Sequence, residues 1–331
     1  MYGWGRNEAG QLGLGDSKDR MVPSLVNELT GHTVVEIATG KSHTLFLTSE
    51  GKVLAAGSND HGQLGQGKKS AGLETPHLVQ YEGPSITSVA AGADFSVLLD
   101  KEGTVWTFGL PENGQLGHND DGKFLAKANK VSQNDNASVQ LGKRNDCMQV
   151  EYRCEYSPVE VKVWVEKDMK TKEVTVLPTP KIIRISCGPQ HTVAVAEDHK
   201  AYSWGFGGYG RLGHSETGNE MVPRLIASLS GKNRGVKDVV CGASFNLGIC
   251  EIPGMVNMWG IYTPAKEANM YAKPISDLSG WNTRAIACNT KVPTPNLDFA
   301  IMGNLPSDAM LEYTYASRIV VRVGWQRRTT R

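Results

Sequence analysis

The chain has 331 residues, with 35 basic and 34 acidic side chains for a formal net charge of +1, and 37 glycines; that is about 11% glycine against a usual share of roughly 7%. With 40% hydrophobic and 21% charged residues the sequence is that of a folded protein, and its balanced charge excludes whole-chain electrostatic attachment to nucleic acid or an anionic membrane. No apolar run approaches the roughly 18–20 residues of a spanning helix, Met1-Tyr2-Gly3-Trp4-Gly5-Arg6 lacks a signal peptide's apolar core, and six cysteines without a Cys-x-x-Cys pair fit neither a disulfide scaffold nor a closed zinc site. A soluble intracellular protein with reduced, packed thiols is the expectation, with no membrane insertion.

In chain order, the first signal is Gly10-Gln11-Leu12-Gly13, which recurs as Gly62-Gln63-Leu64-Gly65, Gly114-Gln115-Leu116-Gly117 and Gly210-Arg211-Leu212-Gly213. The intervals are 52, 52 and 96, the last longer by 44. Five residues before each copy stands Gly5, Gly57, Gly109 or Gly205, with Gly260 as a fifth candidate. A second series is Gly40, Gly92, Gly188 and Gly242. Between these turns lie short β-branched or alternating runs such as Val34–Ile37, Thr44–Leu47 and Thr104–Phe108, which read as strands. Units of about 52 residues with room for four strands, and no extended 3.6-period stripe, predict an all-β propeller of four-stranded blades.

The alignment also assigns residues that look chemical. Before the first glycine series come Trp4, Ala56, Phe108, Trp204 and Trp259, a packing position between blades, since a ligand-stacking ring would not be replaced by Ala56. Before the second come Thr39, Ala91, Cys187 and Cys241, with Cys288 in the next unit, where small residues suit a tight strand better than reactive thiols. Three positions after those glycines, His43, Phe95, His191 and Phe245 alternate, so the ring packs; a catalytic or ligand histidine is the lesser reading. Gly205-Phe206-Gly207-Gly208-Tyr209-Gly210 satisfies Gly-x-Gly-x-x-Gly, yet turn residues follow where a helix would have to hold a pyrophosphate.

The excess length falls at residues 118–181. Val131 to Asp146 reads as a polar loop. Val161–Glu166 and Glu173–Leu177 alternate about a polar turn, predicting a β-hairpin over about 160–178. Two readings stand side by side: an outer hairpin packed on its blade, or a partner-facing wedge with Lys162, Trp164, Lys167, Lys170 and Lys172 as contacts. From Arg318 onward five arginines form a basic tail, read as solvated charge before phosphate binding.

The unit Trp-Gly-x4-Gly-Gln-Leu-Gly, followed by a Gly-x-x-His-Thr strand, resembles the regulator of chromosome condensation repeat over residues 2 to about 288. Within that family Gly114–Phe124, Ser203–His214, Glu220–Leu225 and Gly280-Trp281 look most like the telophase-disc branch. The resemblance implies a seven-bladed propeller that serves as a binding platform, in several members a guanine-nucleotide exchange factor for a small GTPase, with association to chromatin, the spindle and centromeres. It implies no covalent catalysis, cofactor or small-molecule substrate, and residence in nucleus and cytoplasm.

Both ends depart from the repeat: the chain begins inside a unit, and after Cys288 Asn289 stands where glycine is expected. Propeller repeats are therefore assigned to 1–290 and a non-conforming segment to 291–331. Seven units exceed the chain's length, so the expectation is a partial ring with exposed blade edges. An adaptor that binds chromatin, microtubules or a ligase partner without nucleotide exchange is the alternative function.

Overall fold

The computed structural model describes residues 1–127, 148–231, 234–253, 255–261, 267–276, 282–288 and 299–304. Runs of four to seven β-forming residues closed by glycine turns cannot bury an apolar face alone, so they pair edge to edge and stack as sheets. Strands β1 (Tyr2–Gly5) and β2 (Arg20–Leu25) form a two-stranded sheet. β3 (Val34–Thr39), β4 (His43–Thr48), β5 (Val53–Gly57) and β6 (Leu73–Leu78) form a complete antiparallel blade. β7 (Ile86–Ala91), β8 (Phe95–Asp100) and β9 (Val105–Gly109) begin the next, which closes only after an inserted ribbon of β10 (Lys123–Lys127) and β11 (Met148–Tyr152); its outer strand is β12 (Glu155–Glu160).

The hairpin β13 (Trp164–Lys167) and β14 (Val174–Leu177) precedes the third complete blade, β15 (Ile182–Cys187), β16 (His191–Ala196), β17 (Ala201–Gly205) and β18 (Glu220–Leu225). A fourth consists of β19 (Val236–Cys241), β20 (Phe245–Cys250), β21 (Val256–Gly260) and β22 (Asn269–Pro274). β23 (Asn282–Cys288) pairs with β24 (Phe299–Asn304), with the same early register shift as the first two strands of the complete blades. The boundary expected near 290 falls between these two strands, in residues outside the described ones. The chain is an all-β propeller, and among the described residues the only helices are short 3-10 turns.

The glycine repeat is the joint between blades. Each of the four repeat loops donates one backbone N–H to the outer strand of the following blade: Gly15 to Glu74 O, Gly67 to Tyr156 O, Asn119 to Met221 O and Ser215 to Met270 O, all at 2.8–2.9 Å. The twelve repeat glycines all have positive φ. At Gly10 (φ +79) a Cβ would lie 2.7 Å from Glu74 Cα, so the close approach as well as the backbone angle demands glycine. The second series has a different cause: a Cβ on Gly92 would lie 1.8 Å from Phe95 Cε1, so the ring leaves no room for a side chain there.

The apolar core runs between blades. One cluster joins Leu45 and Ala55 to Leu98 and Phe108; another joins Phe95 and Leu116 to Trp164 and Trp204; a third joins Val193 and Ile226 to Val239 and Trp259. Phe108, Trp204 and Trp259 are fully buried, whereas Trp4 at the equivalent position is 61% exposed, beside exposed Tyr2, Met21 and Val22. The first strand of each complete blade lines a central cavity of about 570 Å³.

Candidate partner-binding surface

The recurring polar residues are consumed in the joints. Thr44 Oγ1 donates to Gln11 O (2.8 Å), Ser96 Oγ to Gln63 O (2.7 Å), Trp204 Nε1 to Gln115 O (2.8 Å) and Asn246 Nδ2 to Arg211 O (2.6 Å). Because the Ser96 proton is committed to Gln63, His43 must use Nε2–H to donate to Ser96 Oγ at 3.0 Å; His191 likewise donates Nε2–H to Asn246 Oδ1 at 2.7 Å. Burial pushes their pKa values down to about 4 and about 3, and both Nδ1 atoms are buried without a hydrogen-bond partner. These are neutral, packed rings.

Ser203 and His214 sit 3.0 Å apart and resemble a nucleophile with its base. The Ser203 proton, however, goes to Leu212 O at 2.7 Å, so His214 donates and does not accept. Thr107, Leu116 and His118 repeat the same arrangement one blade earlier. The cysteines Cys154, Cys187, Cys241 and Cys250 are free and buried, and burial raises the thiol of Cys241 to about 12, the reverse of an activated nucleophile.

The strands β13 and β14 stand at the outer edge of their sheet. The hairpin β13–β14 pairs Trp164 with Leu177 and Lys167 with Val174, and β13 adds in parallel to β18 through Val165 and Arg224, extending the third blade to six strands. Its first strand starts at Trp164 and not at Val161, because Val161 N–H donates to Val105 O and its side chain is buried in the preceding blade joint. Trp164 is not a partner contact: it is 1% exposed, meets Tyr202 and Trp204 edge-on, and donates Nε1–H to Val161 O at 3.1 Å.

The lysines divide. Lys167 and Lys172 reach Glu216 at 3.0 and 3.7 Å, and Glu216 also pairs with the buried Arg224, which bonds Glu220 at 2.5 Å. Arg224 Nη2 further contacts Met169 Sδ at 3.0 Å. The Arg224 hydrogen bond, with help from Lys167, holds the Glu216 carboxyl down at about 2. The hairpin turn is thus clamped onto the blade, and Asp168 Oδ1 shapes it by accepting from the Lys170 and Thr171 N–H groups. Lys162, with a side chain 72% exposed and 3.8 Å from Glu160, and Lys170 face solvent.

Sequence reading missed the β10–β11 ribbon: Met148–Tyr152 alternates apolar and polar residues, but Lys123–Lys127 places Phe124, Leu125 and Ala126 in a row and gives no period-two signal. Arg153 N–H donates to Gly122 O at its base, Tyr152 OH lies 3.4 Å from Glu112 Oε1, and Phe124 and Val150 are exposed. The polar loop over 131–146, the arginine tail and Gly280-Trp281 lie outside the described residues.

Residues 1–292 match the model of the RCC1-like domain. Protein RCC2 of Homo sapiens is 40% identical over 290 residues, which cover 87% of this chain and 51% of that protein, so the chain spans about half the length of this relative. Among solved structures, human WBSCR16 superposes with a TM-score of 0.65 at 22% identity, covering 92% of this chain and 68% of that one. Yeast RCC1 (Prp20), solved bound to Kap60, gives 0.62 at 19% identity over 87% of this chain and 60% of that one. At those identities the structural likeness concerns the fold.

Proposed function

Because the chain belongs to the RCC1-like domain family, we propose that it works as an interaction scaffold that regulates a small GTPase, without covalent catalysis. The observation that carries this reading is the division of labour in the molecule. The repeated histidines, serines and threonines are locked inside blade joints, while the extra strands β10–β11 and β13–β14 stand on the rim of a rigid platform, where recognition concentrates. Guanine-nucleotide exchange is the finer form of the proposal. An exchange factor needs only to bind the nucleotide-free GTPase more tightly than the loaded one, and linkage then lowers nucleotide affinity by the same factor.

The contacts we assign are the solvent-facing Lys162, just before the hairpin, and Lys170 in its turn, with Lys167 and Lys172 holding the hairpin through Glu216. Action in nucleus and cytoplasm, with chromosomes or the spindle in mitosis, belongs to the same proposal. Release of a fluorescent guanine nucleotide from a panel of small GTPases tests it. Acceleration on at least one GTPase, lost when Lys162 and Lys170 are both changed to Glu, is expected. A flat panel with retained capture of purified tubulin or nucleosomes would leave the adaptor reading.

A further inference from the structure

The outer strands are the open edges of the blades, and one device blunts them. β2, β6, β12, β18 and β22 contain Pro23, Pro76, Pro158, Pro223 and Pro274 in turn. A proline supplies no N–H and so discourages an open edge from accepting another strand. The hairpin breaks that rule. In the sheet β14-β13-β18-β17-β16-β15, β13 covers the edge of β18 and β14 becomes the outermost strand among the described residues. Its sequence, Val174-Thr175-Val176-Leu177, has neither proline nor charge.

Which backbone groups β14 offers follows from the turn. Asp168 N–H donates to Glu173 O at 2.9 Å, so that pair is of the hydrogen-bonded class, and in an antiparallel ladder the two classes alternate. Glu166 and Thr175 therefore exchange bonds with each other, whereas Val174, opposite Lys167, and Val176, opposite Val165, turn N–H and C=O to the open side. The two valine side chains are 56% and 68% exposed and lie on one face. Because Lys167 and Lys172 tie the hairpin to Glu216, the edge is held in shape before anything binds.

We propose that β14 is a homodimer interface, at which β14 of a second copy of this chain adds antiparallel across a two-fold axis at Thr175. The strand's own chemistry selects this occupant and this register. A two-fold axis perpendicular to the sheet keeps each face on its own side, so residues of like parity meet. With Val174 opposite itself, Val176 would face Lys172, which sits in a left-handed turn (φ +61) with its N–H already given to Asp168 O. With Val176 opposite itself, Val174 would face Pro178, which has no N–H. With Thr175 on the axis, Val174 of each copy meets Val176 of the other, each pair exchanges two bonds, and every open N–H and C=O of the two valines is used. The valines then form one β-branched strip across the seam, Thr175 meets Thr175, and Glu173 meets Leu177, so no like charges stand opposite. The interface does not rest on nucleotide exchange.

Sedimentation velocity of the intact chain over a concentration series, with amide exchange read residue by residue, tests this. Expected is a reversible dimer in which the Val174 and Val176 amides exchange about tenfold or more slowly than in the monomer, while Thr175, bonded to Glu166 in both, changes little. Val176→Lys puts a charge on the exposed strip and should return the chain to monomer with its unfolding midpoint retained. With diamide as oxidant, Thr175→Cys should form a disulfide-linked dimer above the parent's background, because Cα atoms of a directly opposite, non-hydrogen-bonded pair lie about 4.5 Å apart. Glu173→Cys should not, since the two copies of that residue lie about 13 Å apart along the strands in this register. A chain that stays monomeric up to about 0.5 mM overturns the proposal. So does a dimer that persists in Val176→Lys, one whose Val174 and Val176 amides keep their monomer rates, or linkage of Glu173→Cys as readily as of Thr175→Cys.

Discussion

His43 and His191 show how a residue type can mislead when taken singly. Their equivalents Phe95 and Phe245 fill the same place over a glycine, so what the site asks of the ring is shape. The cost appears at low pH. A histidine whose folded pKa lies near 4, against about 6.5 when unfolded, binds fewer protons in the native state, so its stability contribution is intact above about 6.5 and is lost as pH falls toward 4. Replacing His43 with Phe should therefore leave stability near neutral pH little changed and remove about 2 kcal/mol of the loss between pH 7 and pH 5. Urea unfolding at the two pH values measures this; an unchanged slope with pH would place a charged histidine at this position. Ser96 keeps its bond to Gln63 O in the variant, so no new unpaired hydroxyl is expected.

Among the elements, the hairpin β13–β14 was readable as a hairpin from the alternation of Val161–Glu166 and Glu173–Leu177, but not the direction in which it faces. Period two is the same whether Trp164 points to a partner or into the joint with Tyr202 and Trp204, and only the neighbouring blade decides. Nor could the pairing of Lys167 with Glu216, 49 positions away, be read from spacing. That clamp makes a local prediction. Glu216→Gln leaves Arg224 with Glu220 alone and frees Lys167 and Lys172, so amide exchange in Trp164–Leu177 should speed up by about tenfold, ~1.4 kcal/mol of local stability, while exchange in β19–β22 stays constant. Uniform acceleration across all blades would mean that the clamp supports the whole fold and not the hairpin. Glu216 has its carboxyl held near 2, so the clamp is fully present above the ordinary carboxylate value of about 4.3 and fades as pH falls toward 2.

For the whole molecule, stability resides in contacts between neighbouring sheets, because each blade alone has apolar faces and no second layer. One sequence position then carries very different weight from blade to blade. Trp204→Ala should cost about 3–5 kcal/mol, since it empties the joint and leaves Gln115 O without its donor, whereas Trp4→Ala should stay within about 0.5 kcal/mol. Denaturant unfolding of the two variants side by side checks the contrast; equal losses would show that the face carrying Tyr2, Trp4, Met21 and Val22 is covered in solution.

Repetition was the part the chain stated for itself. The glycines at fixed separations, the leucine between them and the ring three places after Gly40, Gly92, Gly188 and Gly242 are local steric demands, and a demand repeated in every blade is visible as a period. Tertiary structure alone decided what happens once. It buried Trp164 and left Trp4 bare. It brought Lys167 and Lys172 to Glu216, and it gave Arg211 Nη1 the Ala243 carbonyl where Gln11, Gln63 and Gln115 accept an N–H within their own loops. Each of these outcomes depends on which atoms lie across a blade joint, tens of residues away in the chain, and spacing along the chain does not encode that distance.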